Sequence, residues 1–221
     1  MNIISFVTQK GGTGKSTLAL SLAVRAEASG EKVCVLDLDP QGTSAAWFET
    51  RSRETPPVVG MDDIPDLDQA LANLATNGFT LTIIDTAGVD SHGTRNAMQA
   101  ADLCLIPVRP SEADIKATAA TVTALSGMGK PFAFILNQAP AGRQARLTAA
   151  VSMRLSTAAP VAPVAIATRM DHQYAYALGQ GVSEYDPNGK AAAEVAELWD
   201  WRRKQMGMKA KANERQTKRR A

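Results

Sequence analysis

The chain holds only two cysteines in 221 residues, Cys34 and Cys104, each inside an apolar run, "KVCVLD" and "LCLIPV". That scarcity leaves no basis for a disulfide framework or for a zinc centre built on paired thiolates. Both thiols are expected as small core residues. Long hydrophobic runs are absent too: none approaches the roughly 20 residues of a membrane-spanning helix. The chain enters an apolar strand at Asn2 with no basic n-region and no long h-region, so no secretory leader is expected and the cytoplasm is the expected compartment. No internal repeat is present. Acidic residues are nearly missing from residues 202–220. Glu214 stands alone there against Arg202, Arg203, Lys204, Lys209, Lys211, Arg215, Lys218, Arg219 and Arg220. That segment carries +8, whereas the rest of the chain, with 15 basic and 21 acidic residues, carries −6. A basic tail on a mildly acidic body points to a polyanionic partner; a solvated, solubilising tail is the alternative.

What is present is ordinary for a globular protein: 45% hydrophobic and 21% charged residues, and a length that suits one well-buried domain. Short apolar runs rich in β-branched residues recur at 3–8, 32–37, 81–86, 103–108, 132–137 and 159–166. Helical spacing lies between them. Leu18, Leu22 and Ala26 mark one helix ending near Gly30. Leu67, Leu71 and Leu74 mark a second ending at Gly78. Ile115, Thr118, Val122 and Leu125 mark a third ending at Gly127. Continuous apolar strands alternating with helices predict an α/β fold, a mostly parallel sheet covered on both faces. Residues 50–60 read as a connection carrying a short edge strand. Residues 190–206 read as a final helix with Val195, Leu198 and Trp199 facing inward, after which the apolar pattern fades.

The stretch "QKGGTGKST", residues 9–17, follows a strand and opens a helix. In that context it reads as a P-loop. Gly11, Gly12 and Gly14, with Thr13 among them, let backbone N–H groups approach phosphate oxygens, and the helix N-terminus adds positive potential. Lys15 would reach the β and γ phosphates, the Ser16 hydroxyl would ligate Mg²⁺, and Thr17 would meet the α-phosphate. The expected cofactors are therefore ATP and Mg²⁺. One departure stands out: Gln9 occupies the first glycine position of the usual pattern, and a second lysine, Lys10, follows it.

The form "KGGTGKST" resembles the deviant Walker A motif of the ParA/MinD family of P-loop ATPases. The resemblance extends to "VLDLDPQG" (35–42), "TIIDTAG" (82–88) and "FILNQ" (134–138), and covers roughly residues 2–200. It implies that Lys10 crosses a dimer interface to the phosphates bound by the other subunit, a cation supplied in trans. It implies that Asp39 orients the attacking water. Asp37 would support the Mg²⁺ water shell and Asp85 would hold Mg²⁺ through water. Both acids could instead be helix caps. Thr86 to Gly88 would respond to the γ-phosphate. Asn137 would read the adenine edge, and Pro163 and Ala165 would pack against the base. Arg169 falls where the family often places a basic residue for non-specific DNA contact.

The nearest flavour is the small ParA type: "DPQGTSAAWFETR" (39–51) and "YALGQGVSEYDPNGKAAAEVAELW" (176–199) resemble such members, and no helix-turn-helix stands before the P-loop. The resemblance thus implies a P-loop ATPase domain over 1–206 and a basic, flexible tail over 207–221. It implies an ATP-dependent homodimer, cytoplasmic and nucleoid-associated, that binds non-specific DNA through Arg169 and the tail. A cargo-bound ParB-like adaptor would stimulate hydrolysis. The rival readings are a MinD-like membrane regulator, with Leu198, Trp201 and Met208 as a thin apolar stripe, and a metabolic P-loop enzyme. The tail has far more charge than apolar surface, which favours phosphate-backbone binding over membrane insertion.

Overall fold

A computed structural model describes residues 1–140, 145–205 and 207. In chain order its elements are β1 (Asn2–Phe6), α1 (Lys15–Ala28), β2 (Val33–Leu38), α2 (Thr43–Thr50), β3 (Val58–Gly60), a 3₁₀ turn (Met61–Asp63), α3 (Leu67–Thr76), β4 (Leu81–Thr86), α4 (His92–Ala100), β5 (Leu103–Val108), α5 (Glu112–Gly127), β6 (Phe132–Leu136), α6 (Ala145–Leu155), α7 (Met170–Ala177), α8 (Val182–Tyr185) and α9 (Lys190–Gln205). The strands form one sheet in the order β3-β2-β4-β1-β5-β6, and every adjacent pair is parallel. This is the doubly covered parallel sheet that the alternating runs predict.

Strand alternation explains why both faces need cover. Along β2, Val33 and Val35 join the cluster that contains Leu18 and Leu22 of α1 and Leu198 and Trp199 of α9. Cys34 and Leu36, one residue out of phase, join the opposite cluster with Leu71 of α3 and Ala97 of α4. Successive side chains of a strand point to opposite faces, so a run without polar residues must be buried twice. Both cysteines are buried, and burial pushes each thiol up to about 12. They are inert core residues.

Two expectations change. Residues 159–166 do not form a strand. The segment runs beside β6 and pairs only at isolated parallel bridges, Phe134 with Val161 and Ala139 with Ala167. Pro160 and Pro163 have no N–H to offer, so no continuous ladder forms. The second change is on α9. Val195, Leu198 and Trp199 are buried as expected, but Arg202 is buried with them at 0% exposure, its guanidinium 4.4 Å from the Trp199 ring centroid. It continues the inward face at helical spacing and presents no charge to a polyanion. Leu198 is likewise 0% exposed and contributes nothing to a membrane-facing stripe. Among the described residues no helix is long and apolar enough to cross a membrane.

Candidate nucleotide-binding site

All strands of a parallel sheet end at the same edge, and this edge collects the candidate residues. The register pairs Asp37 of β2 with Asp85 of β4, and Phe6 of β1 with the same Asp85. The glycine-rich loop leaves β1 there and turns into α1, whose first helical bond runs from Leu18 N to Gly14 O at 3.0 Å. Gly14 has φ 86°, and a Cβ on it would collide with the Asn137 amide. A side chain is therefore excluded on two counts. Asn137 holds the loop from the β6 end, its Nδ2 donating to Thr13 O at 2.7 Å. Gln138 Nε2 donates to Gly12 O at 3.0 Å. From the β4 end Gly88 packs so closely that its own Cβ would lie 3.1 Å from Gly11 Cα.

The loop lines a cavity of about 640 Å³ with Lys15, Ser16, Thr17, Asp39, Pro40, Gly88 and Val89. Lys15 is only 6% exposed. Burial lowers its pKa, and the nearby Asp85 and Asp39 carboxylates oppose that shift. Asp85 is fully buried. Burial raises it to about 6, against hydrogen bonds from Ser16 and Ser44 and the charge of Lys15. Ser44 Oγ donates to Asp85 Oδ2 at 2.8 Å, while Oδ1 is buried with no hydrogen-bond partner. An orphaned carboxylate oxygen beside a serine hydroxyl suits the water shell of Mg²⁺, which keeps several waters and takes phosphate oxygens as further ligands. The described residues contain no cluster of three or more His, Cys, Asp or Glu able to hold a metal alone.

Asp37 has the helix-capping geometry. Its Oδ1 accepts from Asp39 N at 3.1 Å, and its Oδ2 from Ser44 N at 2.8 Å and Ala45 N at 2.9 Å. Burial raises its pKa despite these bonds. Its carboxylate thus closes the first turn of α2 and carries Ser44 to Asp85. Asp39 is half-exposed at the cavity wall, with Oδ1 accepting from Gln41 N at 3.0 Å. Thr86 is buried, its hydroxyl donating to Phe6 O at 2.8 Å.

Lys10 does not share the Lys15 cavity. Its Nζ lies 3.1 Å from Asp114 Oδ2, at the start of α5. Asp114 also receives Arg109 Nε at 2.9 Å and a short bond from the Ser111 hydroxyl. Burial acts to raise the Asp114 pKa, but the bonds from Ser111, Arg109 and Lys10 outweigh it and hold the carboxyl below its ordinary range. Asp114 was legible as a capping pattern, Ser111 followed three residues later by an acid. Its partner Lys10 was not.

A second cavity of about 510 Å³ adjoins the first through Gly14, Thr17 and Thr43, and is lined by Asn137, Gln138, Ala167, Thr168, Arg169, His172 and Tyr176. Pro163 and Ala165 do not line it. They line a neighbouring cavity with Leu136, Ala139 and Ser152, which meets the second one at Ala167 and Arg169. Arg169 borders the second cavity and is paired with Glu194, Nη2 to Oε1 at 2.5 Å. Its charge is matched within the chain, unlike that of a free DNA-facing arginine. Arg203 pairs with Asp200 at 3.2 Å, and Lys204 is exposed. Lys209, Lys211, Arg215, Lys218, Arg219 and Arg220 lie outside the described residues.

A parallel sheet with a glycine-rich loop, an invading lysine and a strand-end acid beside a serine pair defines a P-loop nucleotide-binding protein. The chain belongs to the CobQ/CobB/MinD/ParA nucleotide binding domain family, whose model matches residues 4–178. The Maintenance of carboxysome distribution protein A of Gloeobacter kilaueensis is 31% identical over 121 residues, 54% of this chain and 55% of that protein. Its namesake from Halothiobacillus neapolitanus is 28% identical over 194 residues, 84% of this chain and 88% of that one. A putative plasmid partition protein from Borrelia burgdorferi B31, solved with AMPPNP, has the same fold, with a TM-score of 0.70 at 17% identity over 92% of this chain and 99% of that chain. The chain spans about half the length of the Gloeobacter relative.

Proposed function

We propose that this chain is a Mg-ATP-dependent dimerising ATPase of the ParA type that positions DNA or another cargo. The observation that carries the reading is the separation of the two P-loop lysines. Lys15 is buried against Asp85 and Asp39, where a phosphate chain would enter, while Lys10 stands outside, partly exposed and held on Asp114. In this reading Lys15 and the glycine-rich backbone bind the β and γ phosphates. Ser16 and Asp85 would hold Mg²⁺, which would supply positive charge against the γ-phosphate oxygens. Asp39 orients the attacking water. Lys10 leaves Asp114 and meets the nucleotide of a second subunit, so that closure of the homodimer depends on ATP. The dimer gathers two sets of tail cations on one polyanion, non-specific DNA, and a cargo-bound ParB-like adaptor stimulates hydrolysis and release. The exposed Lys204 and the basic residues beyond 208 carry the DNA contact; Arg202 does not.

Lys15→Ala tests the reading at its base. The variant is expected to lose Mg-ATP binding and turnover, measured by titration calorimetry and phosphate release. Wild-type ATP affinity in that variant would refute the nucleotide assignment.

A further inference from the structure

We propose that His172 is a base-contacting residue of this nucleotide site, its imidazole hydrogen-bonding the edge of the purine that enters the cavity beside the P-loop. The inference rests on the ATP-binding reading above and adds the group that reads the base.

Several polar groups around the cavity are already engaged within the chain. Asn137 Nδ2 is bound to Thr13 O, and Gln138 Nε2 to Gly12 O. The Tyr176 hydroxyl donates to Thr43 O at 2.8 Å, and Arg169 is held by Glu194. His172 differs. It lines the same cavity from the first turn of α7, and both ring nitrogens are buried without a hydrogen-bond partner. A buried polar atom left unpaired costs free energy, and a protein retains such atoms where a ligand or water completes them. Here the cavity is contiguous with the phosphate site and large enough for a purine, so a base bound against the His172 ring is the group that completes one of them.

The charge state suits that role. Burial lowers the His172 pKa. Glu194 of α9 and Asp171 on its own helix act to raise it, and Arg169 acts with burial to lower it. The ring is then neutral near pH 7, with one nitrogen a donor and the other an acceptor. Adenine offers a matching pair of chemistries, an exocyclic amine that donates and ring nitrogens that accept. A charged imidazolium would have two donors and could not accept from the amine.

The test measures binding of Mg-ATP and of inorganic tripolyphosphate, which carries the phosphates without a base, to the full chain. His172→Ala is expected to bind ATP about three- to tenfold more weakly, the scale of one lost hydrogen bond, with tripolyphosphate affinity unchanged. His172→Asn, which keeps a donor and an acceptor, is expected to retain most of the ATP affinity and serves as the folded variant if the alanine form proves unstable. ATP affinity equal to wild type in His172→Ala, or an equal loss of ATP and tripolyphosphate, would overturn the proposal while leaving the ATPase reading standing. So would loss of ATP affinity in a stably folded His172→Asn to the level of the alanine variant. A wild-type chain that binds neither ligand would remove the ATPase reading and this inference with it.

Discussion

Lys10 and Asp114 form an ion pair 3.1 Å apart within one chain, 104 positions distant in sequence, with Asp114 almost fully buried and Lys10 partly exposed. The pair joins the P-loop to the first turn of α5 and gives the second lysine a defined resting place. In the dimer reading, a phosphate on the other subunit must compete with this carboxylate for the same ammonium.

That competition yields a paired prediction. Lys10→Ala is expected to bind nucleotide as wild type does and to fail to dimerise with a non-hydrolysable ATP analogue, as followed by light scattering. Asp114→Asn removes the competing charge while keeping the shape of the α5 cap, and its dimer is expected to form at several-fold lower analogue concentration. An alanine variant that dimerises normally would end the trans role of Lys10.

Asp39 stands at the wall of the phosphate cavity and, unlike Asp37, is not consumed by capping a helix. Asp39→Ala is expected to accept Mg-ATP but to hydrolyse it about a hundredfold more slowly or worse, the range lost with a positioned proton-accepting group. The closed dimer should then accumulate in ordinary ATP. Wild-type turnover would move the water-orienting role to another residue.

The tail carries the third prediction. With Arg202 buried and Arg203 paired with Asp200, seven of the nine basic residues in 202–220 remain for DNA. If about half of them meet phosphates, the logarithm of affinity should fall against log salt with a slope of about −3 to −4, nearly independent of duplex sequence. Deleting 207–221 removes six of these cations and is expected to weaken DNA binding while ATP binding stays intact. If the full chain with ATP instead sediments with anionic liposomes and ignores random DNA at moderate salt, the tail is a membrane anchor and the partition reading falls.

Much of this protein was legible in order of residues alone, because the physics involved is local. Periods of two and 3.6, a glycine turn between strand and helix, and an acid at the end of an apolar strand each act within a few residues. They specified the parallel sheet, the P-loop around Lys15 and Ser16, and Asp85 at the sheet edge. The inward face of α9 was legible too, and carrying its spacing one turn further, from Leu198 to Arg202, would have shown that arginine turning into the core. What the tertiary structure alone decided were meetings between distant segments. Loop closure over some 25 to 130 residues leaves no periodic trace in sequence. The Lys10–Asp114 pair, the Arg169–Glu194 pair, the placing of Pro163 and Ala165 on a neighbouring cavity, and His172 lining the second cavity all belong there. Each depends on where one element ends against another, and that is set by packing of the whole sheet, not by the residues on either side.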